Sequence, residues 1–258
     1  MEWHHECYEG WLRARRSCLT ATDVKELLPV TKTGRKRSVD EENFLKVLAR
    51  KKTNITKDDC KSSGAMARGH VLEPFAISRF NTEFDKEMNH WDDVVVTREE
   101  HEWGDLAFSP DGLDVVIPKN VANNAYPMGP VSGTKELIEV KCYNNERHLV
   151  CGCTDKKKLE ERWQIATAFA VQDSLETAFL VFFNPSMEYQ MFVIQYDRAD
   201  LEDEIGIVLE IEEDWKKWLV SYDVRVNHLI GGDPYEEGNI IRKIVEMEKL
   251  SPVKTVVL

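Results

Sequence analysis

The hexapeptide Leu137-Ile138-Glu139-Val140-Lys141-Cys142 is the most informative stretch of this chain. Apolar and β-branched residues dominate it, so we expect a strand. Because successive strand side chains point to opposite faces, Glu139 and Lys141 share one face. An acid and a base side by side at the end of an apolar strand are unusual in a core. A solvated edge pair is the alternative to a functional site.

A second segment, Ser109-Pro110-Asp111-Gly112, precedes this strand. Asp-Gly is a common turn dipeptide, so Asp111 alone would be read as a turn residue. A hairpin-like pairing, however, would bring its carboxylate beside Glu139. Two converging carboxylates without His or Cys favour a hard cation, Mg²⁺ or Mn²⁺. With Lys141 within reach to orient water and stabilise a phosphate, the pattern predicts metal-assisted phosphodiester hydrolysis.

Further motifs follow one another along the chain. They are Trp11-x-x-x-Arg15, Leu19-Thr20-Ala21-Thr22-Asp23, Gly69-x-x-x-Glu73-Pro74, the two segments above, Gln164-Ile165-Ala166 and Phe183-Asn184-Pro185. Each is weak alone, but in this order they resemble the PD-(D/E)xK nuclease superfamily. Within it, the chain is similar to the lambda-exonuclease, or YqaJ-type, viral recombination nucleases.

The resemblance implies a metal site and assigns its residues. Asp111 would bridge two metal ions, and Glu139 with the Val140 carbonyl would bind one of them. Lys141 would position the nucleophilic water. Glu73 would reach the second metal through water. The implied cofactor is Mg²⁺, with Mn²⁺ as an alternative.

The same resemblance implies contacts to the substrate. Gln164 would hold the water or the scissile phosphate, although a helix-face amide satisfied by the backbone is the alternative. Arg15 and Thr22 match positions that grip a terminal 5′-phosphate, where a guanidinium and a helix N-terminus are suitable donors. The alternatives are a solvated member of the cluster Arg13-x-Arg15-Arg16 and a plain helix cap at Thr22.

The pattern of periods predicts one α/β domain, 1–258, of the restriction-endonuclease-like type: a mixed central β-sheet flanked by α-helices. A helical part covers about 1–90, a catalytic sheet core about 91–197 and a helical part about 198–258. The predicted helices end at Leu28, with Thr20 or Thr22 as N-cap, and cover Val39–Ala49, Ser63–Phe80, Lys157–Val171 and Leu201–Val220. The predicted strands are Asp93–Thr97, Leu106–Phe108, Leu113–Ile117, Leu137–Cys142, Thr177–Phe183 and Gln190–Tyr196. Lys32–Ser38 and Pro118–Thr134 are predicted to be loops, the second of them exposed.

Charge leaves DNA binding open. The net charge is −12, but residues 1–61 carry 14 Lys and Arg against 10 Asp and Glu. The acidic excess lies in the rest of the chain, so a local basic channel beside an acidic outer surface is compatible with the total. The polar Met1–Gly10 and the lack of a membrane-length apolar run predict a cytoplasmic protein, in the host cell if it is viral.

From the resemblance we expect a Mg²⁺-dependent 5′→3′ exonuclease that degrades linear duplex DNA in phage or viral recombination. It also implies a homo-oligomer, a ring-like trimer, and a single-strand annealing protein as partner. Two alternatives stay open. One is an endonuclease or an alkaline nuclease that also cuts RNA, and the other is a catalytically silent DNA-binding or assembly module.

Overall fold

The computed structural model describes residues 5–28, 41–52, 64–91, 94–98, 105–116, 127–154 and 156–230, so the predicted loop Lys32–Ser38 lies outside it. The helices are α1 (His5–Ser17), α2 (Ala21–Leu27), α3 (Glu41–Lys52), α4 (Gly64–Phe84), α5 (Asn145–Cys153), α6 (Lys156–Val171) and α7 (Glu202–Ile230), with a 3-10 turn at Arg198–Leu201. The strands are β1 (Leu19–Thr20), β2 (Asn89–His90), β3 (Val96–Thr97), β4 (Leu106–Phe108), β5 (Gly112–Leu113), β6 (Glu136–Lys141), β7 (Thr177–Phe183) and β8 (Met191–Asp197).

The strands form two mixed sheets. The larger has the order β2-β5-β6-β7-β8, in which β6 and β7 are parallel and the other pairs antiparallel. The smaller has the order β1-β4-β3, with β1 parallel and β3 antiparallel to β4. The predicted mixed α/β class is confirmed, and the strands are divided between two sheets where the sequence predicted one.

Strand β6 is buried on both faces and fixes the direction of its polar side chains. Ile138 and Val140 belong to an apolar cluster with Ala76, Ile77 and Phe80 of α4. Burying each large apolar side chain stabilises the fold by about 1.5–3 kcal/mol, so this face is strongly specified. By strand alternation, the acid and base at positions 139 and 141 lie on the opposite face.

Two helices pack together on the side of the molecule that concerns the site. Helix α6 lies against both α2 and β4, and it matches the predicted Lys157–Val171 within one residue. The chain divides into two compact units, Met1–Glu212 and Glu213–Leu258. The site described below lies in the first unit. The single-domain division stays a prediction.

Several predicted elements differ from the structure. Strands β3 and β5 are shorter than predicted, since Asp114 turns away to accept hydrogen bonds from the Thr134 hydroxyl (2.6 Å) and the Lys135 amide (2.9 Å). Helix α5 was not predicted, although Asn144 caps it by accepting from the Arg147 amide at 2.9 Å. The described part of the loop Pro118–Thr134 is not fully exposed. Val131 is 5% exposed, and its backbone bonds the Gln172 amide in both directions.

The cap of α2 is Thr20, and the alternative assignment to Thr22 is wrong. The amide and hydroxyl of Thr20 both donate to Asp23 Oδ2, at 2.8 and 2.5 Å. Such reciprocal pairing with the third helical residue defines a helix start. Thr22 is therefore an exposed residue of the first turn. Within the described residues, none of the helices combines the length and the apolarity that crossing a membrane requires.

Candidate active site

Asp111 reaches the catalytic strand because β5 approaches β6 and β2 unusually closely. A Cβ on Gly112 would lie 2.7 Å from Ile138 Cγ2 and 2.8 Å from the Asn89 carbonyl oxygen. Only glycine fits this spacing. The neighbouring Asp111 then meets the far strand, and its Oδ2 accepts a hydrogen bond from the Val140 amide at 2.7 Å.

Glu139 and Lys141 form an ion pair on the shared face of β6. Lys141 Nζ lies 2.5 Å from Glu139 Oε1, and both side chains are largely shielded from solvent. Burial alone would lower the pKa of Lys141, but the carboxylates of Glu139, Asp111 and Glu161 outweigh it and raise the pKa above the ordinary lysine value. Lys141 is therefore a cation and a hydrogen-bond donor at neutral pH.

Glu73 faces this pair from helix α4, one turn before Ile77. Burial raises the pKa of Asp111 well above its ordinary value, and the nearby charges of Glu139 and Glu73 raise it further. The three carboxylates therefore act on one small volume. Two histidines also approach Glu73: its Oε2 lies 3.8 Å from His70 Nδ1 and 4.0 Å from His90 Nε2.

This donor set fits a hard divalent cation. Several carboxylates gathered against their own repulsion, with a neighbouring backbone carbonyl, are the ligands that Mg²⁺ prefers. Among the described residues, no three His, Cys, Asp or Glu side chains already form a metal cage. In the arrangement implied by the resemblance, the Val140 carbonyl and water supply the remaining ligands. The metal role of each residue stays a prediction.

The motifs at Trp11, Arg15 and Ser109 are far apart in sequence but touch in the structure. The Trp11 indole and the Arg15 guanidinium both donate to Ser109 Oγ, at 3.3 and 3.4 Å. The guanidinium carbon of Arg15 also lies 4.6 Å from the centre of the Trp11 ring. Arg15 is thereby held two residues from Asp111 along the Ser109 segment.

Two depressions open on either side of the Glu139–Lys141 pair. The smaller cavity is lined by residues that include Arg15, Thr22, Ser109, Glu139 and Gln164. The larger cleft, about 390 Å³, is lined by residues that include Trp11, Arg68, Glu73, Lys141, Tyr143 and Arg147. The structure thus brings every sequence-predicted site residue to one of these walls or, for Asp111, to the strand between them.

Sequence reasoning missed several polar residues of this region. Glu161 of α6 is 6% exposed and accepts hydrogen bonds from Lys25 and Tyr143, both at 2.8 Å. Arg147 lies over the Tyr143 ring at 4.0 Å. One signal was available, because Glu161 and Gln164 stand three residues apart and so share a helix face.

Residues 10–174 match the YqaJ-like viral recombinase domain. The chain belongs to this family. Its members' domain covers the motif helices, β6 and Gln164, which are the elements that build the site. Together with the site geometry, membership makes the chain a nuclease of the recombinase class, as the resemblance implied.

Solved structures with the same fold include the alkaline exonuclease LHK-Exo from Laribacter hongkongensis. Bound to dAMP, that protein matches with a TM-score of 0.59 and 21% identity, covering 92% of this chain and 98% of the other. A second LHK-Exo structure matches with a TM-score of 0.54 and 21% identity, covering 84% and 98%. A comparison with curated proteins finds no significant match.

Proposed function

We propose that this protein is a metal-dependent deoxyribonuclease that digests linear duplex DNA from its 5′ ends in phage or viral recombination. One observation supports it above the others: Asp111, Glu139 and Lys141 meet at the end of β6, between two depressions large enough for substrate groups. The names of the LHK-Exo neighbours agree with exonuclease chemistry, and the strand polarity follows from the family resemblance.

Asp111, Glu139 and the Val140 carbonyl would hold Mg²⁺, with Glu73 contributing through water. Such an ion supplies Lewis acidity and a more acidic bound water. The chain's own residues do the rest. The Val140 amide fixes the direction of the Asp111 carboxylate, and protonated Lys141 donates hydrogen bonds where negative charge accumulates on the scissile phosphate.

The smaller cavity would hold the end of the DNA. Arg15 can contact a terminal 5′-phosphate with two donors, and the Thr22 hydroxyl adds a third. Water attacks the next phosphorus, the bond to the 3′-oxygen breaks, and that oxygen takes the proton. A nucleotide with a 3′-hydroxyl leaves, and a new 5′-phosphate remains to occupy the cavity.

The test compares linear duplex with covalently closed circular DNA, with Mg²⁺ and with a chelator. We expect linear DNA to disappear only with the metal, and closed circles to persist. Lys141→Ala should abolish turnover while retaining DNA binding, because it removes the phosphate-stabilising donor and leaves the DNA contacts of both depressions. Lys217→Ala, at an exposed residue of α7, is the matched control and should leave the rate unchanged.

The alternatives give different results in the same assay. Nicking of closed circles at the linear rate would indicate an endonuclease, and cleavage of an RNA duplex would indicate a broader alkaline nuclease. Binding without cleavage under every metal tried would leave the silent DNA-binding module, and the proposed function would be wrong.

A further inference from the structure

Glu161 is a buried carboxylate with no role in the proposed metal site. It lies on α6, three residues before Gln164, and therefore on the same helix face. Its Oε2 accepts a hydrogen bond from Lys25 Nζ of α2 at 2.8 Å, and its Oε1 accepts one from the Tyr143 hydroxyl at the same distance. A carboxylate so shielded needs such partners to stay ionised.

The charge state of Glu161 is set by its cations. Burial alone would raise the pKa of Glu161, but the neighbouring charges of Lys141 and Lys25 outweigh it and lower the pKa. Glu161 is therefore ionised at neutral pH, and Lys25 is held as its counter-ion. This ion pair joins α2, which carries Thr22, to α6, which carries Gln164.

Lys25 also contacts Gln164 directly. Its Nζ lies 3.4 Å from Gln164 Oε1. An ammonium group can only donate, so the Gln164 carbonyl oxygen is turned toward Lys25 and the amide NH₂ away from it. Gln164 lines the smaller cavity together with Glu139, whereas Lys25 is not among the described residues on that wall. Lys25 thus stands behind Gln164.

We propose that Glu161 and Lys25 are positioning residues that orient the Gln164 amide for the chemical step. Glu161 holds the Lys25 ammonium in place, and Lys25 fixes the Gln164 oxygen, so the NH₂ group is presented to the water or phosphate beside Glu139. This inference rests on the proposed nuclease function. It assigns roles to two residues that do not touch the substrate.

The test measures kcat and KM on linear duplex for Lys25→Met and Glu161→Gln, which keep size but remove charge. We expect kcat to fall by about tenfold in both, as expected for a lost charge-assisted hydrogen bond, with KM for DNA nearly unchanged. Lys25→Arg, which keeps the cation, should recover most of kcat. Lys135→Met, which breaks the exposed pair with Glu176, is the control and should leave both constants as they are.

A double-mutant cycle separates positioning from general stability. In a Gln164→Ala background, Lys25→Met should lower kcat no further, because the group that it orients is gone. Thermal unfolding of each variant shows whether it is folded. If Glu161→Gln unfolds, Lys25→Met and its cycle still decide the question.

The outcomes distinguish this inference from the function beneath it. A wild type that does not hydrolyse DNA overturns the proposed function. A wild type that cleaves, with Lys25→Met at the wild-type kcat or with full additivity to Gln164→Ala, overturns only the positioning role. A rise in KM at constant kcat would also overturn it, since that result would make Lys25 a substrate contact.

Discussion

Asp111 carries a charge that its surroundings oppose. Burial and the carboxylates of Glu139 and Glu73 all raise its pKa, and only a bound cation would relieve the repulsion among the three acids. The Val140 amide nevertheless holds the carboxylate in place at 2.7 Å. Stability given up in this way is typical of a residue kept for function.

Asp111→Asn should stabilise the metal-free protein and abolish cleavage. Asparagine can still accept from the Val140 amide but removes the repelling charge, so we expect a gain on the order of 1 kcal/mol at neutral pH. The raised pKa of Asp111 means that this gain shrinks in acid, where the wild-type carboxyl is already protonated. Chemical denaturation at neutral and acidic pH measures both.

The same pair of proteins tests the metal. A hundredfold excess of Mg²⁺ over Kd should stabilise the wild type by about 2.7 kcal/mol, whereas Asp111→Asn should gain much less. Ca²⁺ serves as a second probe in thermal unfolding. Equal stabilisation of both proteins would show that Asp111 is not a ligand.

Arg15 separates a terminal from an internal phosphate. A 5′-phosphate end should be digested faster than a 5′-hydroxyl end, because the doubly charged group attracts a guanidinium more strongly. Arg15→Ala should slow the phosphorylated end by roughly ten- to a hundredfold and narrow the difference between the two ends. Rates on matched duplexes measure it. A wild type that ignores end chemistry would contradict the assignment.

At the scale of elements, the long patterns were predictable and the short ones were not. Strand β7 and α6 follow periods that a sequence shows, and the predicted bounds match within one residue. Strands β1 and β2 contain two residues each, too few for any period, and exist because partners lie beside them. Tertiary pairing alone defines them.

The site divides in the same way. The alternation on β6 places Glu139 and Lys141 together, and the pairing with β5 adds Asp111, so these three were predictable as neighbours. Lys25 and Glu161 were not, because they are 136 positions apart in sequence and meet only when α2 packs on α6. A long-range ion pair leaves no local pattern.

Gly112→Ala tests how much the site depends on the close approach of β5. The added methyl would meet the Asn89 backbone as well as the Ile138 side chain, and backbone cannot move aside cheaply. We expect a loss of about 1–3 kcal/mol and a larger fall in activity than in stability, because Asp111 is displaced. Gly206→Ala is the control: nothing lies within 4 Å of its Cβ, so a helix should gain slightly.

At the scale of the whole molecule, the net charge of −12 must be reconciled with a polyanionic substrate. The cations near the site, among them Arg15, Arg68 and Arg147, line the two depressions. Acidic residues concentrate elsewhere, as in the first turn of α7 with Glu202, Asp203 and Glu204. DNA is then attracted locally rather than by the protein's overall field.

Self-association is the last prediction, and it concerns processivity. The family resemblance implies a ring-like trimer that encircles the product strand, which would keep DNA from escaping a protein whose total charge repels it. We therefore expect a trimer in sedimentation at micromolar concentration, and processive digestion that persists when unlabelled competitor DNA is added after the start. Arg15→Ala should slow each step without dissociating the trimer. A monomer in sedimentation together with distributive digestion would contradict the ring, and retention would then depend on the Arg15 cavity alone.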